Sequence, residues 1–260
     1  MAAAAPDQPP AWLAGLGARP HRYFIRLGST NDEAAAWALA GAPAGAVVLA
    51  EEQTAGRGRQ GRAWLAAPGS SLLMSVVLRP QVSAAWLPRL TLMGAVALAD
   101  VLTGWGLAPR LKWPNDVLLG GRKTAGILAE AVWSGQELRA VVLGIGVNVF
   151  RHALPDDVPF PATTLEAALG RPPDRGELLV RLLERVDFWS ERLADRALLD
   201  ACRVYSVTLG QRVTVRAGDT VWVGLAEDLD EQGALLLRTD DGQRHRLLAG
   251  DVTLHEEQAG

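Results

Sequence analysis

Cysteine is almost missing from this chain: Cys202 stands alone among 260 residues. One thiol cannot close an intramolecular disulfide or build a cysteine metal cluster. Histidine is scarce too. His21, His152, His245 and His255 are scattered, with no pair at metal-ligand spacing, which argues against a structural zinc. No uninterrupted apolar run approaches the roughly 18 residues that span a bilayer. Met1 to Pro10 is rich in alanine and proline but has neither a basic segment nor a long apolar stretch. No signal peptide is read there, and a cytoplasmic protein without membrane attachment is expected. A basic surplus is also absent: the formal net charge is −3, where a general nucleic-acid binder carries a positive balance. Any anion site must come from local clustering of arginine and lysine.

What is present suffices for a folded core, since 49% of residues are hydrophobic and 21% charged. Residues 1–20, rich in Ala, Pro and Gly, are expected to be a flexible terminus. Thr30-Asn31-Asp32-Glu33 reads as a capping box before an alanine-rich helix that stops near Gly41. Strand-like runs follow at Ala46 to Ala50 and Ser71 to Leu78, then a long apolar helix from Trp86 to Thr103. Leu111 to Trp113, Asp116 to Leu119, Ile127 to Trp133 and Arg139 to Val149 read as a strand meander, with Gly120-Gly121 as a hairpin turn. Glu177 to Asp195 has the period of an amphipathic helix. Beyond Gly210 five short strand-like runs alternate with Gly-containing turns, the pattern of a small β-barrel. The boundary falls near residue 207, giving domains at 21–206 and 207–260.

Four segments carry candidate chemistry. Gly56-Arg57-Gly58-Arg59-Gln60-Gly61-Arg62 alternates flexible backbone with forked cationic donors. Such a loop can close over an anion; its composition alone favours a solvated surface loop, but its place between two apolar strands, where a hairpin needs only a few residues, counts against that. Its arginines repel one another unless an anion lies between them, so it is expected to be mobile until a ligand arrives. Lys112-Trp113-Pro114-Asn115-Asp116 gathers a cation, an aromatic, an amide and a carboxylate, yet Pro-Asn-Asp is also ordinary turn chemistry. Lys123, entering an apolar strand before Thr124-Ala125-Gly126, either reaches for solvent or serves a site, and no Walker A glycine pattern precedes it. Gly144-Ile145-Gly146-Val147-Asn148 lacks the third glycine of a dinucleotide fingerprint; its glycines signal close approach of a backbone or ligand.

In order and spacing these segments, with Ser29-Thr30-Asn31 and Gln53 before them, resemble the biotin–protein ligase family from about residue 26 onward. G-R-G-R-x-G-R at Gly56 to Arg62 and K-W-P-N-D at Lys112 to Asp116 are that family's hallmarks. The resemblance implies an α+β fold: a mixed sheet with flanking helices, related to class II tRNA synthetases, plus a small SH3-like barrel at the C-terminus. It implies ATP-driven formation of biotinyl-5′-AMP and transfer of biotin to a lysine of a biotin carboxyl carrier protein, with magnesium accompanying ATP rather than held in a protein-only cage.

Carried over residue by residue, the biotin contacts are Ser29, Thr30, Asn31, Gln53, Arg57, Gly58, Arg59, Lys123 and Gly126. The ATP and adenylate contacts are Arg57, Arg59, Arg62, Trp64, Lys112, Asn115, Lys123 and Asn148. The catalytic set is Arg59, Lys123 and Asp116. The segment before Ser29 is short for a helix-turn-helix, so the type without DNA binding is expected. Relatives dimerise by strand pairing, which makes a homodimer possible here. Related lipoate and octanoate enzymes include a group with a cysteine nucleophile, but Cys202 lies far in sequence from every motif.

Overall fold

The computed structural model describes residues 5–80, 82, 84–155 and 160–255. Its larger sheet has seven strands in the order β1-β2-β3-β7-β6-β5-β4. The chain lays down β1 (His21–Leu27), α1 (Thr30–Leu39), β2 (Val47–Gln53) and β3 (Ser71–Leu78), then α2 (Leu87–Gly104), β4 (Pro109–Lys112) and β5 (Asp116–Leu119). The long hairpin of β6 (Arg122–Ser134) and β7 (Glu137–Asn148) follows, then α3 (Leu165–Leu169), α4 (Arg175–Glu191) and α5 (Arg196–Tyr205). β1 and β2 run parallel because α1 crosses between them, and the remaining neighbours are antiparallel, so the sheet is mixed.

Both faces of this sheet are covered, which explains why β3 is an unbroken run of buried residues rather than an alternating one. Leu72, Met74 and Val76 join the main core with α2, α4 and α5, while Val77 joins Phe24, Ala34, Ala38 and Val142 beneath α1. By length and composition α2 could cross a membrane, but two thirds of it, 67%, is buried inside the protein. Its Asp100 accepts from Arg185 and the Trp189 indole of α4 and from the Tyr205 hydroxyl of α5, pinning three helices at one carboxylate.

Two sequence expectations change here. Ala11–Leu16 is a 3-10 turn, with Leu13 and Leu16 buried against α4, so this part of residues 1–20 is packed. Its Trp12 ring lies 3.9 Å from the Arg175 guanidinium, which in turn grips Glu51. The capping box is also displaced. Ser29, not Thr30, is the N-cap of α1 and makes no side-chain cap bond. Thr30 is the first helical residue because the Gln53 amide oxygen takes both its N–H, at 2.8 Å, and its hydroxyl, at 3.0 Å.

The C-terminal sheet is antiparallel, in the order β11-β10-β9-β8-β12: β8 (Arg212–Ala217), β9 (Thr220–Leu229), β10 (Leu235–Thr239), β11 (Arg244–Leu247) and β12 (Asp251–Leu254). Its apolar residues, among them Val213, Val215, Leu235 and Leu237, continue the main core. The two domains are fastened at the K-W-P-N-D segment. Trp113 donates its N–H to the Thr208 hydroxyl at 2.9 Å and its indole N–H to the Gly233 carbonyl at 3.1 Å. Arg89, a buried cation at the start of α2, donates to the Glu231 carbonyl at 2.6 Å and to that of Asp195.

Candidate active site

A cavity of about 420 Å³ opens on the α1 face of the large sheet, beside the N-terminus of that helix. The sheet floor there is stripped of side chains. Ser75 pairs with Gly144, and Gly126 pairs with Gly146 on the adjoining strands. Asn31 and Trp64 fill the freed space: a Cβ at position 144 would stand 2.9 Å from Asn31 Cγ, and one at 146 would stand 2.7 Å from the Trp64 ring. The glycines in β7 were expected to admit a backbone or a ligand; the space they free is taken instead by two side chains of this chain.

One end of the cavity carries a run of polar groups. Ser75 Oγ lies 2.7 Å from Thr30 Oγ1 and 2.6 Å from Asn31 Oδ1, and Thr30 donates onward to Gln53. The Asn31 amide donates to Glu130 at 2.5 Å. Ser29, Thr30, Asn31 and Ser75 are all buried, so these bonds exist at low local dielectric and fix one another's orientation. Such a set of short donors and acceptors can read a compact polar ring. Between this end and the other the floor is strand backbone, with Leu128 beside Gly144 on the same face, while the side chains of Met74, Ile127 and Ile145 lie in the core on the opposite face.

The other end is cationic. Lys123 Nζ lies 2.6 Å from Asp116 Oδ1, and aromatic rings flank it, Trp64 at 5.7 Å and Phe160 at 5.5 Å from their centroids. β5 and β6 pair around the Gly120–Gly121 turn and bring Lys123 beside Asp116. Of the buried side-chain atoms left without a partner among the described residues, two belong to residues that line this cavity: Arg59 Nη1 and the Trp64 indole nitrogen, both donors. Burial lowers the Arg59 pKa from its ordinary value, while Asp251 and Asp116 act in the opposite direction. A partly buried guanidinium with one buried donor unmet is costly unless an anion completes it.

The Gly-Arg loop is folded, and its arginines do not simply repel one another. Gly58 donates to the Arg62 carbonyl at 2.7 Å, and Trp64 to that of Gly56 at 2.9 Å. Arg57 grips Asp32 with both prongs, at 2.7 and 2.6 Å, and Arg62 pairs with Asp251 of the C-terminal domain. Protein carboxylates thus relieve the repulsion expected from the sequence. Arg57 touches the cavity, but its guanidinium is committed to carboxylates.

Of the residues singled out from sequence, Ser29, Thr30, Asn31, Gln53, Arg57, Gly58, Arg59, Arg62, Trp64, Lys112, Asn115, Asp116, Lys123 and Gly126 all line this one cavity. Asn115 is also a brace, donating its amide to the Ile127 carbonyl at 3.2 Å. Asn148 is the exception. It is buried, pairs with Ser71 in the sheet, donates to the Thr163 carbonyl at 3.3 Å and is not part of the cavity wall. Sequence reasoning missed Ser75, buried behind Thr30 and Asn31, and the cavity residues Phe160, Thr214, Arg216, Asp251 and Thr253, which sit far from the motifs along the chain.

Residues 23–148 match the biotin/lipoate A/B protein ligase family, and residues 208–254 match the biotin protein ligase C-terminal domain. A biotin–[acetyl-CoA-carboxylase] ligase of Mycobacterium tuberculosis is 39% identical over 254 residues, covering 92% of this chain and 90% of the relative. The chain belongs to the biotin–protein ligase family. Within that family, the bifunctional ligase/repressor BirA of Bacillus subtilis is 34% identical, over 89% of this chain and 73% of its own length. Among solved structures, the biotin protein ligase of Aquifex aeolicus in complex with biotin and ATP superposes with a TM-score of 0.77 at 27% identity, covering 91% of this chain and 98% of the other. The mixed sheet with flanking helices and the SH3-like C-terminal domain expected of a biotin–protein ligase are both present.

Proposed function

We propose that this chain is a biotin–protein ligase that works in two steps within the one cavity. A carboxylate oxygen of biotin attacks the α-phosphorus of ATP, the bond to the β-phosphate oxygen breaks, and pyrophosphate leaves with the electron pair. The product is biotinyl-5′-AMP. The neutral amine of a carrier lysine then attacks the acyl carbon, AMP departs, and the amine proton passes to solvent. The observation that carries this reading is the pair of unmet buried donors, Arg59 Nη1 and the Trp64 indole N–H, in the same cavity as Lys123.

The polar end of Ser29, Thr30, Asn31 and Gln53 suits the ureido ring, with Gly58 and Gly126 giving backbone room beside it. The valeryl chain would cross the glycine floor beside Leu128, bringing its carboxylate to the cationic end. Arg59 and Lys123 would then stabilise the charge that grows on the phosphate oxygens, with Asp116 orienting Lys123 through their ion pair. Lys112, Asn115 and Arg62 would face the nucleotide.

Magnesium would arrive on the triphosphate. Among the described residues no cluster of three His, Cys, Asp or Glu side chains could hold an ion, and Asp116 and Asp251 already have cationic partners. The name of the mycobacterial relative supports a carrier domain of acetyl-CoA carboxylase or a related biotin enzyme as acceptor.

The test is pyrophosphate release in the presence of ATP and either biotin, lipoate or octanoate. Release should require biotin and ATP together; release with lipoate or octanoate but not biotin would overturn the substrate assignment. The cysteine-nucleophile alternative has little support, because Cys202 is buried, lies outside this cavity, and its thiol is pushed up to about 12 by burial.

A further inference from the structure

We propose that Asp32 and Glu130 are positioning residues that clamp Arg57 and so hold the Gly-Arg loop closed over the cavity, setting how long the activated acyl intermediate is retained. The inference rests on the biotin and ATP reading of the cavity. Asp32, in the first turn of α1, meets Arg57 through two parallel hydrogen bonds, the fork geometry that gives an arginine–carboxylate pair its directionality. Glu130, on β6, stands 3.5 Å from the same guanidinium. Its other commitment is to Asn31, whose amide donates to the same carboxylate oxygen, Oε2. One carboxylate therefore touches both the polar end of the cavity and the root of the loop.

Geometry divides the work among the loop's three arginines. Arg57 is fixed by Asp32 and Glu130 at one end, and Arg62 by Asp251 at the other. Arg59, between these staples, and Trp64, two residues beyond the second, turn inward with donors unmet. Fastening the outer residues to the protein presses the inner ones toward the ligand. The Asp32 carboxyl is held below its usual range by the hydrogen bonds from Arg57, so the pair is ionised at neutral pH. With 61% of the Asp32 side chain exposed, salt should weaken the clamp.

Asp32→Asn tests the idea without touching the cavity wall. In the full-length variant, single-turnover pyrophosphate release with biotin and ATP should stay within about twofold of wild type. Escape of the intermediate, read as biotin appearing on an unrelated lysine-rich bystander protein, should rise about fivefold at low salt, the size expected for losing an exposed ion pair. The difference should vanish in about 1 M salt, where the Debye length shrinks to roughly 3 Å. Cleavage by trypsin after Arg57 should accelerate in parallel, and Asp32→Glu should restore retention. Glu130→Gln should also loosen the loop and, unlike Asp32→Asn, weaken biotin binding through Asn31. A folded Asp32→Asn protein with wild-type escape and wild-type cleavage overturns the clamp. If wild type releases no pyrophosphate with biotin, the functional reading fails instead, and the trypsin comparison still decides whether Asp32 holds the loop.

Discussion

Replacing Gly144 by alanine adds one methyl group to the floor of the cavity, and its effect can be worked out from the contacts around it. The new Cβ would overlap Asn31 Oδ1 and stand 2.9 Å from Asn31 Cγ. Asparagine is short and here lies buried in the first turn of α1, so it can yield only by rotating away. Doing so gives up the bond to the Glu130 carboxylate, at 2.5 Å, and that from the Ser75 hydroxyl, at 2.6 Å. A neutral hydrogen bond contributes about 1 kcal/mol and one to a charged group about 1.5–3 kcal/mol, so the disturbance is about 2.5–4 kcal/mol. If Asn31 reads the ureido ring, biotin affinity should fall by roughly two to three orders of magnitude. ATP binding should change little.

Isothermal titration with each ligand measures both quantities. A cycle with Asn31→Ala tests the route: alanine at 144 should add almost nothing once Asn31 is gone. Wild-type biotin affinity in folded Gly144→Ala would refute the reasoning, as would additive losses in the double variant.

Other perturbations have equally direct readouts. If Lys123 faces the reacting phosphate, as proposed, Lys123→Ala should slow biotin-dependent pyrophosphate release by about a hundred- to a thousandfold; a near-normal rate in a folded protein would leave Lys123 as a partner of Asp116 only. Arg59→Gly deletes the loop arginine whose donor is unmet, so biotinyl-5′-AMP should leave faster and label bystander lysines; unchanged retention by stopped-flow would contradict this. Arg175→Ala should destabilise the fold by about 3–5 kcal/mol in urea unfolding, because Glu51 would keep the Tyr23 hydroxyl but lose its cation in a largely buried setting. Cys202, with its thiol pushed up to about 12 by burial, should resist alkylation in the native protein at pH 8.5 and react promptly in denaturant.

Sequence signals were strongest where one local rule governed an element. β3 and β5 fall at Ser71–Leu78 and Asp116–Leu119, the bounds read from apolar runs and turn residues, and the five C-terminal strands follow their Gly-punctuated pattern. β1 was missed because burial does not alternate along it: Tyr23 and Phe24 are both buried, and Ile25 after them is exposed. Thr30 misled because a local cap and a distant partner compete for the same groups, and the partner, Gln53, lies on another strand. Motif residues found their common cavity almost completely, Asn148 apart. Carboxylates that commit the arginines were invisible. Asp32, Glu130 and Asp251 are ordinary surface letters in a sequence, and only the fold decides which cation each one meets.

The fastening of Trp113 to Thr208 and Gly233 bears on how the protein can be cut. A chain ending at residue 206 would keep every hallmark motif and still lack a wall of its cavity. It would also strand a buried indole N–H, and the Arg89 guanidinium would lose its carbonyl partner at Glu231. Such a fragment should lose cooperativity along with activity, because the second domain contributes to the shared core as well as to the site. The small barrel is thus an integral part of the enzyme's architecture, and an exchange of barrels between relatives would succeed only if the turn around Gly233 came with a matching partner for Trp113.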